Sequence, residues 1–261
     1  MNLSFDMSGI VIAAAVTLRM AIMMALLPLL SQRSVPVLWR LALAGALGAA
    51  VAPSIVIDVP AGAGGLDWRA IGAEGLRSLL IGAQMAFVIG IPFAAVKFAG
   101  EVLGVQMGLS LADVYDPGTG GRSSAVSTLY YLLAVMLFFA VDAHHTVIMA
   151  LVESCRLLPP FAAVSGDAGS WLVVTRFGDF FRIGLQVAAP CIIVLMLVSA
   201  AMGVIVKTVP QLNVLIVGMP LKIAVGLGTI GVSLVFFNEV FGSLLGGMER
   251  QLSELMGALQ A

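Results

Sequence analysis

Charge is what this 261-residue chain has least of. Asp, Glu, Lys and Arg together make up 10% of it, and thirteen Lys plus Arg nearly cancel fourteen Asp plus Glu. A chain with no basic face does not grip nucleic acid. Cysteine is almost absent: Cys155 and Cys191 lie far apart in or beside apolar sequence and read as reduced packing residues, not a disulfide. Catalytic signatures are missing as well. There is no GxSxG elbow, no Walker loop and no carboxylate pair at useful spacing, and Ser123, Ser124 and Ser127 have no base on the same element. An enzyme is not expected, and no cofactor is implied. The opening MNLSFDMSGI has no Lys or Arg before its apolar stretch and carries Asp6, so it does not read as a signal peptide. The first hydrophobic segment is then expected to direct insertion itself.

What the chain has in excess is apolar surface, with 61% hydrophobic residues and a mean hydropathy of +1.10. That places it outside the soluble globular class. Apolar runs cover approximately 7–30, 38–57, 76–112, 125–152, 183–206 and 211–237. Most reach the roughly 20 residues a spanning helix needs. The third is too long for one simple span, and Pro92 is expected to divide it. Yet Arg19, Lys97, Glu101, Asp142, His144, His145 and Lys222 fall inside or against these runs. An ionised group at the bilayer centre costs roughly 2.5–3.5 kcal/mol, so such residues ordinarily face protein or water. The expectation is an all-α integral membrane protein of about six long, kinked hydrophobic helices that forms one piece of a larger assembly.

Punctuation between the runs sharpens this picture. Pro28 and Pro36 bracket a turn, 60–65 (PAGAGG) is a loop, and Pro159-Pro160 opens a polar-speckled stretch. Within it, Trp171, Val174, Phe177 and Phe181 recur at helical spacing and predict a short amphipathic helix over 168–182. The tight connection 207–213 (KTVPQLN) joins the last two runs into an antiparallel hairpin, and Gly218 with Pro220 is expected to interrupt its second arm just before Lys222. If every run spanned, six basic residues on one side would face four on the other, too weak a bias to set orientation.

Four constellations stand out. Gly100, Gly104 and Gly108 are four apart and predict a helix face on which another backbone packs closely. Lys97 and Glu101 share the right spacing for an ion pair, though in the less favourable order. Asp142, His144 and His145 invite a metal or proton-relay reading. Adjacent histidines on a regular helix point about 100° apart and cannot share one ion, so a structural polar patch is the expectation. The segment from Asp113, Tyr115, Asp116, Pro117 and Gly118 through Gly120, Gly121 and Arg122 is a turn-rich loop between two very apolar stretches. It is either a surface connection or a loop lying in a pore.

The stretches 207–227 (KTVPQLNVLIVGMPLKIAVGL), 104–117 (GVQMGLSLADVYDP) and 137–145 (LFFAVDAHH), with the Arg19, Pro28, Pro36 pattern, resemble the FliR family of flagellar export proteins and its SctT counterpart in virulence injectisomes. The most specific part runs from Pro210, Gln211 and Asn213 to Gly218, Pro220 and Lys222. The resemblance implies a bacterial inner-membrane subunit of the flagellar basal body. There it would form, with FliP-type and FliQ-type subunits and beside FlhB-type and FlhA-type components, the helical export gate for unfolded protein substrates. It further implies a FliP-like part over 1–182 and a FliQ-like hairpin with tail over 183–261. The loop that begins at Met107, Gly108 and Leu109 and ends at Arg122 would plug the pore, and residues 210–222 would contact neighbouring subunits. Ala143, where that family would have glycine, and Lys207, where it would have arginine, depart from the pattern. The rival readings are a small secondary transporter and an intramembrane metalloenzyme built on Asp142, His144 and His145.

Overall fold

A computed structural model describes residues 7–26, 36–51, 53, 68–109, 124–160, 166–209 and 214–260. Among them are eight helices and no strand: α1 (Met7–Leu26), α2 (Val37–Val51), α3 (Trp68–Met107), α4 (Ala125–Ala140), α5 (Ala143–Leu157), α6 (Gly166–Thr208), α7 (Val214–Gly246) and α8 (Met248–Gln260). The protein is all-α. Three stretches, Gly72–Met107, Val173–Thr208 and Ile216–Gln260, are long and apolar enough to cross a membrane, and α4 with α5 would make a fourth as one broken span. The first two apolar runs give shorter apolar helices.

Proline does not break these helices as the sequence suggests. Pro92 lies inside α3, which continues unbroken for 40 residues. A proline removes one intrahelical hydrogen bond, but Val88, Ile89, Ile91, Phe93, Ala95 and Val96 around it are all buried. Their packing on both sides of the proline outweighs one lost bond. Pro190 inside α6 and Pro220 inside α7 are likewise carried through, so the second arm of the hairpin is a continuous helix that runs on past residue 237 to Gly246. The short helix expected over 168–182 is the opening of α6, a 43-residue element. Its stripe of Trp171, Val174, Phe177 and Phe181 is exposed.

The chain divides into two compact units, neither contiguous in sequence. One comprises Met1–Gly90, Asp142–Phe177 and Gly247–Ala261, the other Ile91–Val141 and Gly178–Gly246. In the first, α1 packs on α2 and α5 on α8. Gly48 permits the first contact, because a side-chain carbon there would stand 2.9 Å from the Thr17 Cα. The amphipathic α8 buries Met248, Leu252, Leu255, Met256 and Leu259, and Gln260 Nε2 donates to the Leu157 carbonyl at 2.7 Å. This helix lies beyond the last apolar run and was not expected.

The second unit has an aromatic centre. Phe93 meets Phe138 and Phe241 edge-on, with centroids 5.4 and 5.7 Å away, and Tyr130 meets Phe237 at 5.5 Å. Such pairs add about 0.5–1.5 kcal/mol each beyond area burial. Cys191 Sγ and Ser233 Oγ lie 3.5 Å apart, one on each long arm of the hairpin. The two residues are nearly equidistant from the connection, as antiparallel arms require.

Candidate functional site

Helices α3 and α4 meet at one built point in the second unit, at the described residues on either side of the segment 110–123. Helix α3 ends in a tight C-terminal motif: Gly108 takes φ +82, its N–H donates to the Val105 carbonyl, and the Leu109 N–H reaches back to the Gly104 carbonyl, both at 3.0 Å. Glycine adopts that left-handed turn without a side-chain clash. Gly108 therefore terminates the helix and does not extend the Gly100/Gly104 face.

Those two glycines meet the start of α4. A side-chain carbon at Gly104 would stand 2.7 Å from Ser124 Cβ, and one at Gly100 would stand 2.8 Å from the Ser127 nitrogen. Ser124 caps α4, its hydroxyl accepting from the Val126 N–H at 3.3 Å, while its own N–H points between the Glu101 oxygens at 3.3 and 3.4 Å. A carboxylate at a helix N-terminus also meets the positive end of the helix dipole. Ser127 Oγ adds a 3.1 Å bond to the Lys97 carbonyl. Glu101 is thus committed to α4, and no ion pair joins it to Lys97, which is exposed. The expected Lys97–Glu101 pair is replaced by this clasp, in which the Glu101 carboxylate takes the Ser124 N–H at the start of α4.

Helix α7 closes the same point. Met107 is fully buried, and its side chain lies where a carbon on Gly226 would be, 2.9 Å away. Met219 Cε approaches the Gly108 position at 3.6 Å. The end of α3 and the start of α4 are therefore held together while α7 backs their junction. Asp113, Tyr115, Asp116, Pro117, Gly118, Gly120, Gly121 and Arg122 lie outside the described residues, as do Pro210, Gln211 and Asn213. Gly218 is buried, Pro220 exposed and Lys222 half-buried on the first turns of α7.

The first unit holds a charge network that sequence reasoning saw only in part. Arg19 is 1% exposed, and its Nη1 donates to the carbonyls of Ser154 and Leu158 at 3.0 and 2.8 Å. Its Nη2 lies 3.5 Å from Glu74, itself buried. Glu74 accepts from Arg77 Nη1 at 3.0 Å and from Ser78 Oγ at 3.1 Å, and Arg77 also reaches the Pro159 carbonyl at 2.8 Å. Two guanidinium groups thus reach the carbonyls of Leu158 and Pro159 just past the end of α5, and one adds a second bond to the Ser154 carbonyl, which also accepts the Leu158 N–H, where a helix terminus is negative. Glu74, Arg77 and Ser78 went unsingled in the sequence. Their signal was a polar set at i, i+3 and i+4 in an otherwise apolar helix.

Asp142, His144 and His145 stand where α4 gives way to α5. Asp142 takes φ 55 there, while His144 and His145 both lie in the first turn of α5, where side-chain rotation offsets the divergence of neighbouring positions. The two rings lie 4.4 Å apart.

Comparison with known proteins places these features in context. Residues 10–248 match the bacterial export proteins, family 1. The chain is 32% identical over 240 residues to the flagellar biosynthetic protein FliR of Escherichia coli (strain K12), covering 87% of this chain and 88% of that one. It is 32% identical over 213 residues to FliR of Bacillus subtilis (strain 168), covering 80% and 81%. The Yop proteins translocation protein T of Yersinia pestis is 29% identical over 157 residues, 59% of each chain.

Proposed function

The chain belongs to the family 1 bacterial export proteins, and from that premise we propose that it is a subunit of the flagellar type III protein export gate. With FliP-type and FliQ-type subunits it forms the pore through which unfolded proteins leave the cytoplasm, in the inner membrane at the flagellar basal body. FlhA-type and FlhB-type components are its further partners. It does no chemistry on its cargo, and the driving energy comes from other components. The observation that carries this reading is similarity to flagellar FliR proteins along nearly the whole chain. Residues 1–182 act as the FliP-like part and 183–261 as the FliQ-like hairpin and tail.

Physical features support it. The most apolar windows of Val173–Thr208 and Ile216–Gln260 are only 17% and 22% buried within the chain. Helices so apolar and so little covered need lipid or other helices around them. The loop 107–122 is the plug, and the contacts of Glu101, Ser124 and Met107 fix α3 and α4 on either side of it. A resting pore must be tight, because the membrane potential is worth about 2.3 kcal/mol per charge per 100 mV.

Restoring swimming to a strain lacking its own FliR, with co-purification of the two smaller subunit types, tests the assignment. No swimming and no captured subunits from a well-expressed protein would refute it. Deleting Pro117 to Gly121 tests the plug: the complex should assemble while cells leak small ions. An injectisome role is the second reading, favoured by the similarity to translocation protein T. It would be adopted if secretion through an injectisome, and not swimming, were restored.

A further inference from the structure

Asp142 directly follows the last residues of α4, a position where a left-handed residue commonly ends a helix, but here it is an aspartate and not the usual glycine. Asp142 has φ 55 and ψ 24, the sole positive φ at a non-glycine residue among those described. L residues reach that left-handed region seldom, and at some cost. An aspartate before a helix ordinarily turns its carboxylate onto a backbone N–H of the first turn. This one makes no such bond. Its Oδ1 lies instead 4.0 Å from His144 Nε2 and 3.9 Å from His145 Nδ1. One donor atom from each of the three residues lies within 4.8 Å of the other two. His144 and His145 are the chain's only histidines; the Asp142 and His145 side chains are exposed, at 75% and 71%, and His144 is half-buried at 32%.

We propose that Asp142, His144 and His145 form a binding site for one divalent transition-metal ion of the zinc class. Two imidazole nitrogens and one carboxylate oxygen suit zinc, whereas calcium and magnesium require oxygen ligands almost throughout. With bonds of about 2.0–2.1 Å, a tetrahedral ion holds its ligand atoms roughly 3.4 Å apart. The two spacings from the carboxylate are about half an ångström wider and the one between the imidazoles is within 4.8 Å, gaps that side-chain rotation closes. Three protein ligands leave the fourth position to water or to a side chain of a neighbouring subunit. The positive end of α5 opposes a cation here, and the Asp142 carboxylate offsets it. The left-handed turn is what swings that carboxylate away from its capping position and over the two rings.

Zinc titration of the detergent-solubilised full chain with its co-purified subunits, stripped with chelator and read against a chromophoric competitor, tests the site. One saturable equivalent per chain is expected at micromolar zinc, weakened tenfold or more by His144→Ala, His145→Ala or Asp142→Asn. Cobalt in place of zinc should give the intense visible bands of a tetrahedral site, lost in the same variants. Asp142→Gly separates the ligand role from a folding role, since glycine takes this conformation without strain. It should melt higher than wild type without metal, yet gain nothing from zinc, whereas wild type gains. Should His144→Ala fail to assemble, His145→Ala carries the test, because that side chain stands largely in solvent. Zinc affinity unchanged across the variants, or no saturable binding at micromolar zinc, would overturn the proposal.

Discussion

Replacing Gly100 by alanine puts one carbon where the first turn of α4 already sits. That carbon would lie 2.8 Å from the Ser127 nitrogen and 3.0 Å from the Val126 carbonyl oxygen. Both neighbours are backbone, so no change of rotamer relieves the clash, and α3 and α4 must part by roughly 1 Å to reach normal contact. Overpacking of this kind costs about 1–3 kcal/mol. Parting also breaks the Ser127 bond to the Lys97 carbonyl, a loss of about 1 kcal/mol. Alanine's better helix propensity returns about 1 kcal/mol, leaving a net destabilisation of about 1–3 kcal/mol. Gly72→Ala is the control: it lies in the same helix, with nothing within 4 Å of the added carbon, and collects only the propensity gain. The two variants should therefore differ by about 2–4 kcal/mol in thermal unfolding of the solubilised complex. Rescue should be asymmetric. Ser124→Gly removes the atoms that Gly104→Ala would strike and costs only a few tenths of a kcal/mol as a cap, so it should relieve that variant. Ser127→Gly should not relieve Gly100→Ala, where the obstacle is main chain. Equal stability of Gly100→Ala and Gly72→Ala, or rescue by Ser127→Gly, would refute the close approach on which this reasoning depends.

Arg19→Met leaves Glu74 with one cationic partner and removes the side-chain donor from the Leu158 and Ser154 carbonyls, the second of which keeps the Leu158 N–H, so it should cost about 3–5 kcal/mol in melting experiments; Arg19→Lys should recover only part, lacking the guanidinium fork. Lys222→Met should lower flagellar export in swimming assays while Lys222→Arg is tolerated, and equal activity of the two would make that charge a bystander. Leu252→Ala, at a fully buried position of α8, should cost about 2–5 kcal/mol, whereas Arg250→Ala, exposed on the same helix, should melt with the wild type.

The fold class was open to reading because apolar content alone excludes a soluble domain, and because the hairpin connection is written in turn formers. Helix limits were less open. Pro92, Pro190 and Pro220 look like breaks in one dimension, but whether a proline ends a helix depends on how much side-chain packing flanks it, and that is a tertiary quantity. The helix α8 was missed for a related reason: a search for long apolar runs passes over Met248, Leu252, Leu255, Met256 and Leu259, whose signal is period and not density. Glu74 escaped notice because a single acid says nothing until Arg19, more than fifty residues away in the chain, is seen to lie against it.

The charged residues that first marked this chain as unusual turn out to solve their problem in two different ways. Arg19 is satisfied within the chain, by a carboxylate and by the carbonyls at the end of α5. Glu101 is satisfied likewise, by the N–H at the start of α4. Lys97 and Lys222 make no ion pair among the described residues, and neither is buried. A subunit that kept every charge internally paired would have only dispersion with which to recognise its neighbours in lipid, and dispersion fixes register poorly between apolar helices. On the proposed export-gate reading, the cations left open on α3 and α7 would supply that register, each meeting a carboxylate or carbonyl at one height of a neighbouring helix. On that reading, the division between charges closed within the fold and charges left open is a division between folding and assembly. On that reasoning Arg19→Met should lower the stability of the chain itself, while Lys222→Met should leave the chain folded and weaken its attachment to other subunits.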